Sequence, residues 1–183
     1  MSPSTRTPIR DRRLAYAPLE TALGRLLVGY RGETVLRSSL TQTPAEFASD
    51  LGEEYGQPPE ARPALPDRLR EPVRTAAEGG FCAVDIDLDP LTPFQQRVLR
   101  AAIAIPRGHT CSYGELAERI GAPGAARAVG SALGRNPVPL LIPCHRVVRS
   151  GGDVGKYGMG GAQMKVRLLR REGALSRGGR VVA

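Results

Sequence analysis

A mixed fold of the α/β (α+β) class, with a small antiparallel sheet first and a mostly helical half after it, is what this chain of 183 residues predicts. Three observations lead there. Leu26-Leu27-Val28 and Thr34-Val35-Leu36 flank Arg31-Gly32, so apolar runs surround a turn signal and read as a hairpin, within two or three antiparallel strands between Leu14 and Leu40. Three stretches carry a capping hydroxyl followed three residues later by Glu or Gln, the signature of a helix start: Thr43 with Glu46, Thr92 with Gln95, and Ser112 with Glu115. Val84, Ile86 and Leu88 alternate with Asp85, Asp87 and Asp89, the period of a half-buried strand. That alternation sets the three aspartates on one solvent face rather than in a metal cluster.

Taken in order, Pro44 follows its capping Thr at the first helical position, and the helix is expected to run to about Glu54. Pro58, Pro59, Pro63 and Pro66 make 57–66 a connection. Asp67 to Glu78 resumes a helical composition that Pro72 should kink or split. After Thr92, Phe94, Val98, Leu99, Ala102 and Ile103 form an apolar stripe closed by Pro106 and Gly108. After Ser112, Leu116, Ala117 and Ile120 give one buried face, Gly121 ends the turn, and a second short helix starts beyond Pro123, making a helix-turn-helix candidate. On that second helix Arg127, Gly130, Ser131 and Gly134 share one face. Gly inside a helix costs about 1 kcal/mol against Ala, so two on one stripe point to something approaching closely. A reader of the major groove would need long polar side chains, whereas this face offers small residues and one Arg.

The formal charge of +8 points to a polyanionic partner, and of the 26 lysines and arginines only Lys156 and Lys165 are lysines, which suits bidentate phosphate contacts. Cys82, Cys111 and Cys144 are odd in number and no signal-peptide core precedes them, so free thiols in a reducing compartment are expected. His109 with Cys111 and Cys144 with His145 are spaced too tightly and sparsely for a structural zinc; neither metal nor other cofactor is expected. No apolar segment approaches the roughly 20 residues of a membrane span.

The chemistry concentrates in Ile142-Pro143-Cys144-His145-Arg146-Val147, directly after Leu140-Leu141-Ile142, which reads as a buried strand. A thiol near its reference pKa of ~8.5 needs a base or a positive field to become a nucleophile, and an imidazole stands next to it. Neighbours on a strand point to opposite faces, so Cys144 and His145 cooperate only if the chain turns at Pro143 or a water joins them. A carboxylate should orient the imidazole, and spacing leaves Glu115, Glu118 and Glu172 open. Asn136, before Pro137, reads as a turn former.

Arg127-Ala128-Val129-Gly130, Asn136-Pro137, Pro143-Cys144-His145-Arg146-Val147, Tyr157, Lys165, Leu168-Leu169 and Glu172-Gly173, in that order, resemble the O6-alkylguanine-DNA alkyltransferases, strongly over about 92–174 and more weakly back to Leu14. Residues 1–13 mix Pro, Ser, Thr and Arg without periodicity and read as a disordered lead-in, and 175–183 read as a basic, mobile tail; the resemblance implies an N-terminal α/β domain over 14–88 and a C-terminal DNA-binding and alkyl-transfer domain over 92–174. It implies irreversible transfer of the alkyl group of O6-alkylguanine, and of O4-alkylthymine, from duplex DNA to Cys144. His145 would take the thiol proton through a water, Glu172 would orient His145, and Asn136 would hydrogen-bond the backbone around the cysteine turn. Ala126, Gly130 and Ser131 would lie against the minor groove, Arg127 would fill the gap left by an extruded nucleotide, and Tyr113 would offer its hydroxyl to a guanine nitrogen or a phosphate. Val147, Tyr157, Gly158 and Met159 would wall the alkyl pocket. The expected partner is double-stranded DNA, bound by a monomer in the cytoplasm, at the nucleoid, or in a nucleus, and not a membrane.

Two departures stand out. Some relatives hold an N-terminal zinc with Cys and His, and this chain has neither before Cys82. The family places its Lys seven residues after the Tyr, whereas Lys165 is eight after Tyr157, so Met159 sits in a lengthened loop and is expected to face the pocket. A non-catalytic lesion-binding protein and a helix-turn-helix regulator with an incidental Cys-His are the competing classes. The first is disfavoured because such relatives replace the cysteine; the second would bind a specific operator.

Overall fold

The computed structural model describes residues 13–175 and 181. Its first three strands, β1 (Leu14–Thr21), β2 (Gly24–Arg31) and β3 (Thr34–Ser39), form the expected antiparallel meander. The helix α1 (Pro44–Tyr55) follows, capped reciprocally by Thr43 and Glu46 and closed by Gly56 at φ 69°. Two short edge strands complete the sheet, of which only the second was expected. β4 (Glu60–Ala61) lies within the stretch read as a plain connection and pairs in parallel with β1; β5 (Asp85–Ile86) pairs in parallel with β3 and is shorter than the alternation of 84–88 suggested. The sheet order is therefore β4-β1-β2-β3-β5. Asp87 leaves the strand to accept a hydrogen bond from the Tyr55 hydroxyl at 3.2 Å.

Between those edge strands α2 (Asp67–Ala77) runs unbroken through Pro72. A proline removes one intrahelical donor, and here burial of Leu69, Val73, Ala76 and Ala77 on one stripe outweighs that loss. The second half comprises α3 (Pro93–Ile103), β6 (Cys111–Ser112), α4 (Tyr113–Arg119), α5 (Ala126–Leu133), a 3-10 turn (Cys144–Arg146), β7 (Val147–Val148) and α6 (Gly161–Arg171). Thr92 with Gln95 and Ser112 with Glu115 both close reciprocal caps. The helix pair α4–α5 turns through Gly121 and Gly124, both at positive φ.

The period-two pattern explains how the halves join. Leu14, Leu27 and Leu36 face α1 and pack on Phe47 and Leu51. Their neighbours Ala15, Ala17, Leu26, Val28 and Val35 point the other way, into a core shared with α2, α3, α4 and α5. Both faces of the sheet are covered, which is why Leu26-Leu27-Val28 is an unbroken apolar run. Gly29 permits the close approach of α1, since a Cβ there would lie 2.8 Å from a Leu51 methyl. A third cluster, Val148, Leu169, Ala174 and Leu175, has Val181 packed against it, and Val181 bridges to Leu175. The lead-in expected over 1–13 lies, except for Arg13, outside the described residues, as do 176–180 and 182–183. No helix among the described residues is long and apolar enough to cross a membrane.

Candidate active site

Asn136 organises the approach to the cysteine. Its Oδ1 accepts the Val138 N–H at 3.0 Å, while its Nδ2 donates to the Ile142 carbonyl at 3.0 Å and reaches the Cys144 sulfur at 3.2 Å. The segment read as a buried strand, Leu140-Leu141-Ile142, is instead a tight turn: the Ile142 N–H donates to Val138 at 3.0 Å and Leu140 has φ 75°. The run is apolar because it is buried, but the Ile142 N–H and carbonyl are taken up by the turn and by Asn136 rather than by a ladder. Left-handed backbone at a leucine costs about 1–3 kcal/mol, held here by surrounding contacts. The turn continues into the 3-10 helix at Cys144, so the thiol and His145 leave the chain in different directions.

His145 is buried and its Nε2 lies 3.0 Å from Glu172 Oε1. Burial alone would raise the Glu172 pKa, but hydrogen bonds from His145 and Arg146, together with the arginine charge, hold it at about 2. Glu172 is therefore an acceptor only, so the imidazole proton sits on Nε2 and the lone pair on Nδ1. That Nδ1 is buried with no protein partner, a position one ordered water would satisfy. Desolvation pushes the His145 pKa below 6.5, against the pull of Glu172, and keeps the ring neutral at pH 7. Desolvation likewise raises the Cys144 thiol, opposed by the Asn136 hydrogen bond and the Lys165 charge. A neutral thiol and a neutral imidazole with a free lone pair thus share one buried site. The other two carboxylates left open by spacing are elsewhere: Glu115 is occupied in the cap of α4 and Glu118 is exposed.

Two cations complete the site. Arg146 is 4% exposed and grips Glu172 with Nε and Nη2, each at 2.9 Å, while Nη1 donates to Ile105 O and Nη2 to Gly79 O. Lys165, buried on α6, donates to the Val147 carbonyl at 2.6 Å and lies 5.7 Å from the centre of the Tyr113 ring. Desolvation lowers its pKa to about 8. Neither had been assigned a role from spacing. The signal available was only their place in the quoted motifs, because their partners lie far along the chain.

The Cys144 thiol opens into a cleft of about 1160 Å³. One wall is the bare face of α5, with Ala126, Arg127, Gly130, Ser131 and Gly134; Tyr113 adjoins it, its ring 3.6 Å from where a Gly130 Cβ would be. Tyr157, Gly158 and Met159 line the opposite side, and Met159 is only 5% exposed, so the lengthened loop does not bulge into solvent at that residue. The Tyr157 hydroxyl is buried beside the Cys144 thiol and works against the rise in the thiol pKa. Val147 departs from its expected place: it is fully buried in the core, paired with Cys111 across β6 and β7, and does not line the cleft. Its contribution is the carbonyl that anchors Lys165. The N-terminal half supplies a rim that sequence reading missed, including Arg37, Ser38 and Gln42. All three cysteines are free thiols.

Residues 93–174 match the family model of the 6-O-methylguanine DNA methyltransferase DNA-binding domain. Mycobacterium tuberculosis OGT, in a crystal structure with DNA, superposes with a TM-score of 0.71 at 34% identity, covering 87% of this chain and 92% of that one. The chain belongs to the O6-methylguanine-DNA methyltransferase family. A family member from Pyrococcus kodakaraensis gives a TM-score of 0.66 at 25% identity over 87% of this chain and 99% of that one. The methylated-DNA–protein-cysteine methyltransferase of Mycobacterium leprae is 53% identical over 90 residues, which are 49% of this chain and 53% of that protein. That of Methanothermobacter thermautotrophicus is 47% identical over 111 residues, 58% and 60% of the two chains. The matched stretch thus spans little more than half the length of these methyltransferases, and the family-model match over 93–174 contains the whole arrangement from Tyr113 to Glu172.

Proposed function

We propose that this protein repairs DNA by moving the alkyl group of O6-alkylguanine, and of O4-alkylthymine, from a flipped nucleotide in duplex DNA onto Cys144, once per molecule. The observation that carries the reading is the joining of two groups at one cleft: a thiol held by Asn136, and a neutral His145 held by Glu172 with its Nδ1 lone pair unpartnered. In the reaction the thiol proton passes through a water to Nδ1, and Glu172 stabilises the imidazolium that results. The sulfur attacks the alkyl carbon as the carbon–O6 bond breaks, and the departing electron pair is neutralised on guanine by a proton, for which Tyr113 is the nearby donor. The product thioether has no neighbour able to displace its carbon, so the protein is spent.

DNA reaches the cleft over the small-residue face of α5. Gly130 and Ser131 allow close approach to the minor groove, and the exposed Arg127 takes the place of the extruded base, which costs a few kcal/mol to unstack. The reading places a monomer with the DNA, in cytoplasm or nucleus. Mass spectrometry after incubation with duplex DNA carrying O6-methylguanine tests it: the peptide holding Cys144 gains one methyl mass, one per protein. Turnover beyond one equivalent, transfer to Cys82 or Cys111, or no transfer at all overturns it.

The loop at Met159 sets the accepted alkyl size in this proposal. Met is flexible and fills irregular space, so removing it enlarges the pocket. Deleting Met159 should change the ratio of transfer rates from benzylated and methylated guanine by about 10-fold, the scale of one buried methylene or two. An unchanged ratio would exclude the loop as a selectivity wall.

A further inference from the structure

We infer that Gly79, at the end of α2, is a positioning residue for the Glu172–His145 pair, acting from the opposite half of the chain; the inference rests on the alkyl-transfer reading above. The carbonyl of Gly79 accepts from Arg146 Nη2 at 2.9 Å, and the same guanidinium holds both oxygens of Glu172. Gly79 is itself fixed by the helix end, its N–H donating to Ala76 O at 3.0 Å while the Gly80 N–H returns to Thr75 O at 2.8 Å. Its φ of 89° favours glycine. Space enforces the same choice, because a Cβ would lie 2.7 Å from Glu172 Oε1, the oxygen that meets His145, and 3.5 Å from Arg146 Nη2. A single backbone position thereby supplies an acceptor to the arginine and a stop against which the carboxylate rests.

Gly79→Ala must push Glu172 Oε1 away from His145. The groups that face or influence the imidazole are Glu172, Arg146, Lys165, Tyr157 and Cys144; of these, Glu172 raises its pKa and the two cations lower it. A displaced Glu172 leaves a weaker base. The expected result, in single-turnover transfer from O6-methylguanine duplex, is a plateau rate reduced by about 10- to 100-fold, the scale of a misplacement of one ångström or less. The midpoint of the acid limb moves to lower pH while duplex affinity is retained. Gly56→Ala is the control: its φ of 69° imposes comparable backbone strain, but nothing lies within 4 Å of the added methyl and the pH profile stays as in the parent. If Gly79→Ala does not fold, Gly79→Asn, a residue that tolerates positive φ better, sets the same Cβ against Glu172 and must shift the profile in the same direction. A normal pH midpoint in whichever variant is read overturns the inference, provided the parent transfers its methyl to Cys144; a parent that does not transfer overturns the function instead.

Discussion

Glu172→Ala is expected to lose both stability and activity. The substitution leaves Arg146 at 4% exposure with two carbonyl acceptors and no counter-charge, and breaking one side of a buried ion pair costs about 3–5 kcal/mol. For a chain of this length that is on the order of 10 °C in Tm, read by calorimetry. Transfer by the molecules still folded should slow by 10²- to 10⁴-fold, the usual worth of general-base assistance. Acid pH gives a second check. The folded pKa of about 2 is below the unfolded 4.5, so Glu172 stabilises the fold above pH 4.5 and that contribution disappears as pH falls through 2. His145, also depressed, adds stability that is present above pH 6.5 and declines as pH falls below it. The parent's advantage over Glu172→Ala should therefore shrink between pH 4.5 and 2. An advantage constant across that window would mean that the carboxylate is not the charged partner of Arg146.

Arg127→Ala should separate flipping from chemistry. The side chain is exposed on the cleft wall, and no part of it touches the Asn136–Cys144 or His145–Glu172 contacts. Repair of O6-alkylguanine in duplex DNA is expected to fall by about 10- to 100-fold, equivalent to ~1.4–2.8 kcal/mol. Reaction with free O6-benzylguanine, which has no stack to leave, should be unchanged. Equal losses on both substrates would make Arg127 a structural residue of α5. Binding to undamaged duplex should fall steeply with salt whatever the sequence, as phosphate contacts demand.

The elements of this fold were legible where the signal is local. Each of the three capping boxes spans four residues, and all three open helices where Thr43, Thr92 and Ser112 indicated. The apolar runs on either side of Arg31-Gly32 marked the hairpin of β2 and β3. What the sequence hid was decided at long range. Pro72 reads as a helix breaker, yet the packing of Val73 and Ala76 carries α2 through it. Leu140 to Ile142 has the composition of a core strand, and the side chain of Asn136, bonded six and eight residues ahead, together with the Ile142 to Val138 backbone bond, turns it away from a ladder. The site divides similarly. A thiol beside an imidazole is visible in two letters, but spacing left three carboxylates open and the choice of Glu172 came from family resemblance. The acceptors of Arg146 are backbone carbonyls 41 and 67 residues away, which no side-chain pattern announces.

Ser38, near the end of β3, donates its N–H to Pro137 O and its hydroxyl to Pro139 O, both at 2.9 Å, on the very turn that Asn136 ties to the thiol. The sheet rim and the nucleophile's turn are one bolted piece, so the jaw is cut to width when the chain folds. Little ordering is then left for the moment of encounter, and on the proposed function binding energy from DNA would go to distorting DNA. On the proposed function, a damaged pair, already weak, would yield to such a fixed gauge more readily than a sound one, and the search for lesions would become a test of the duplex's stiffness rather than of the protein's.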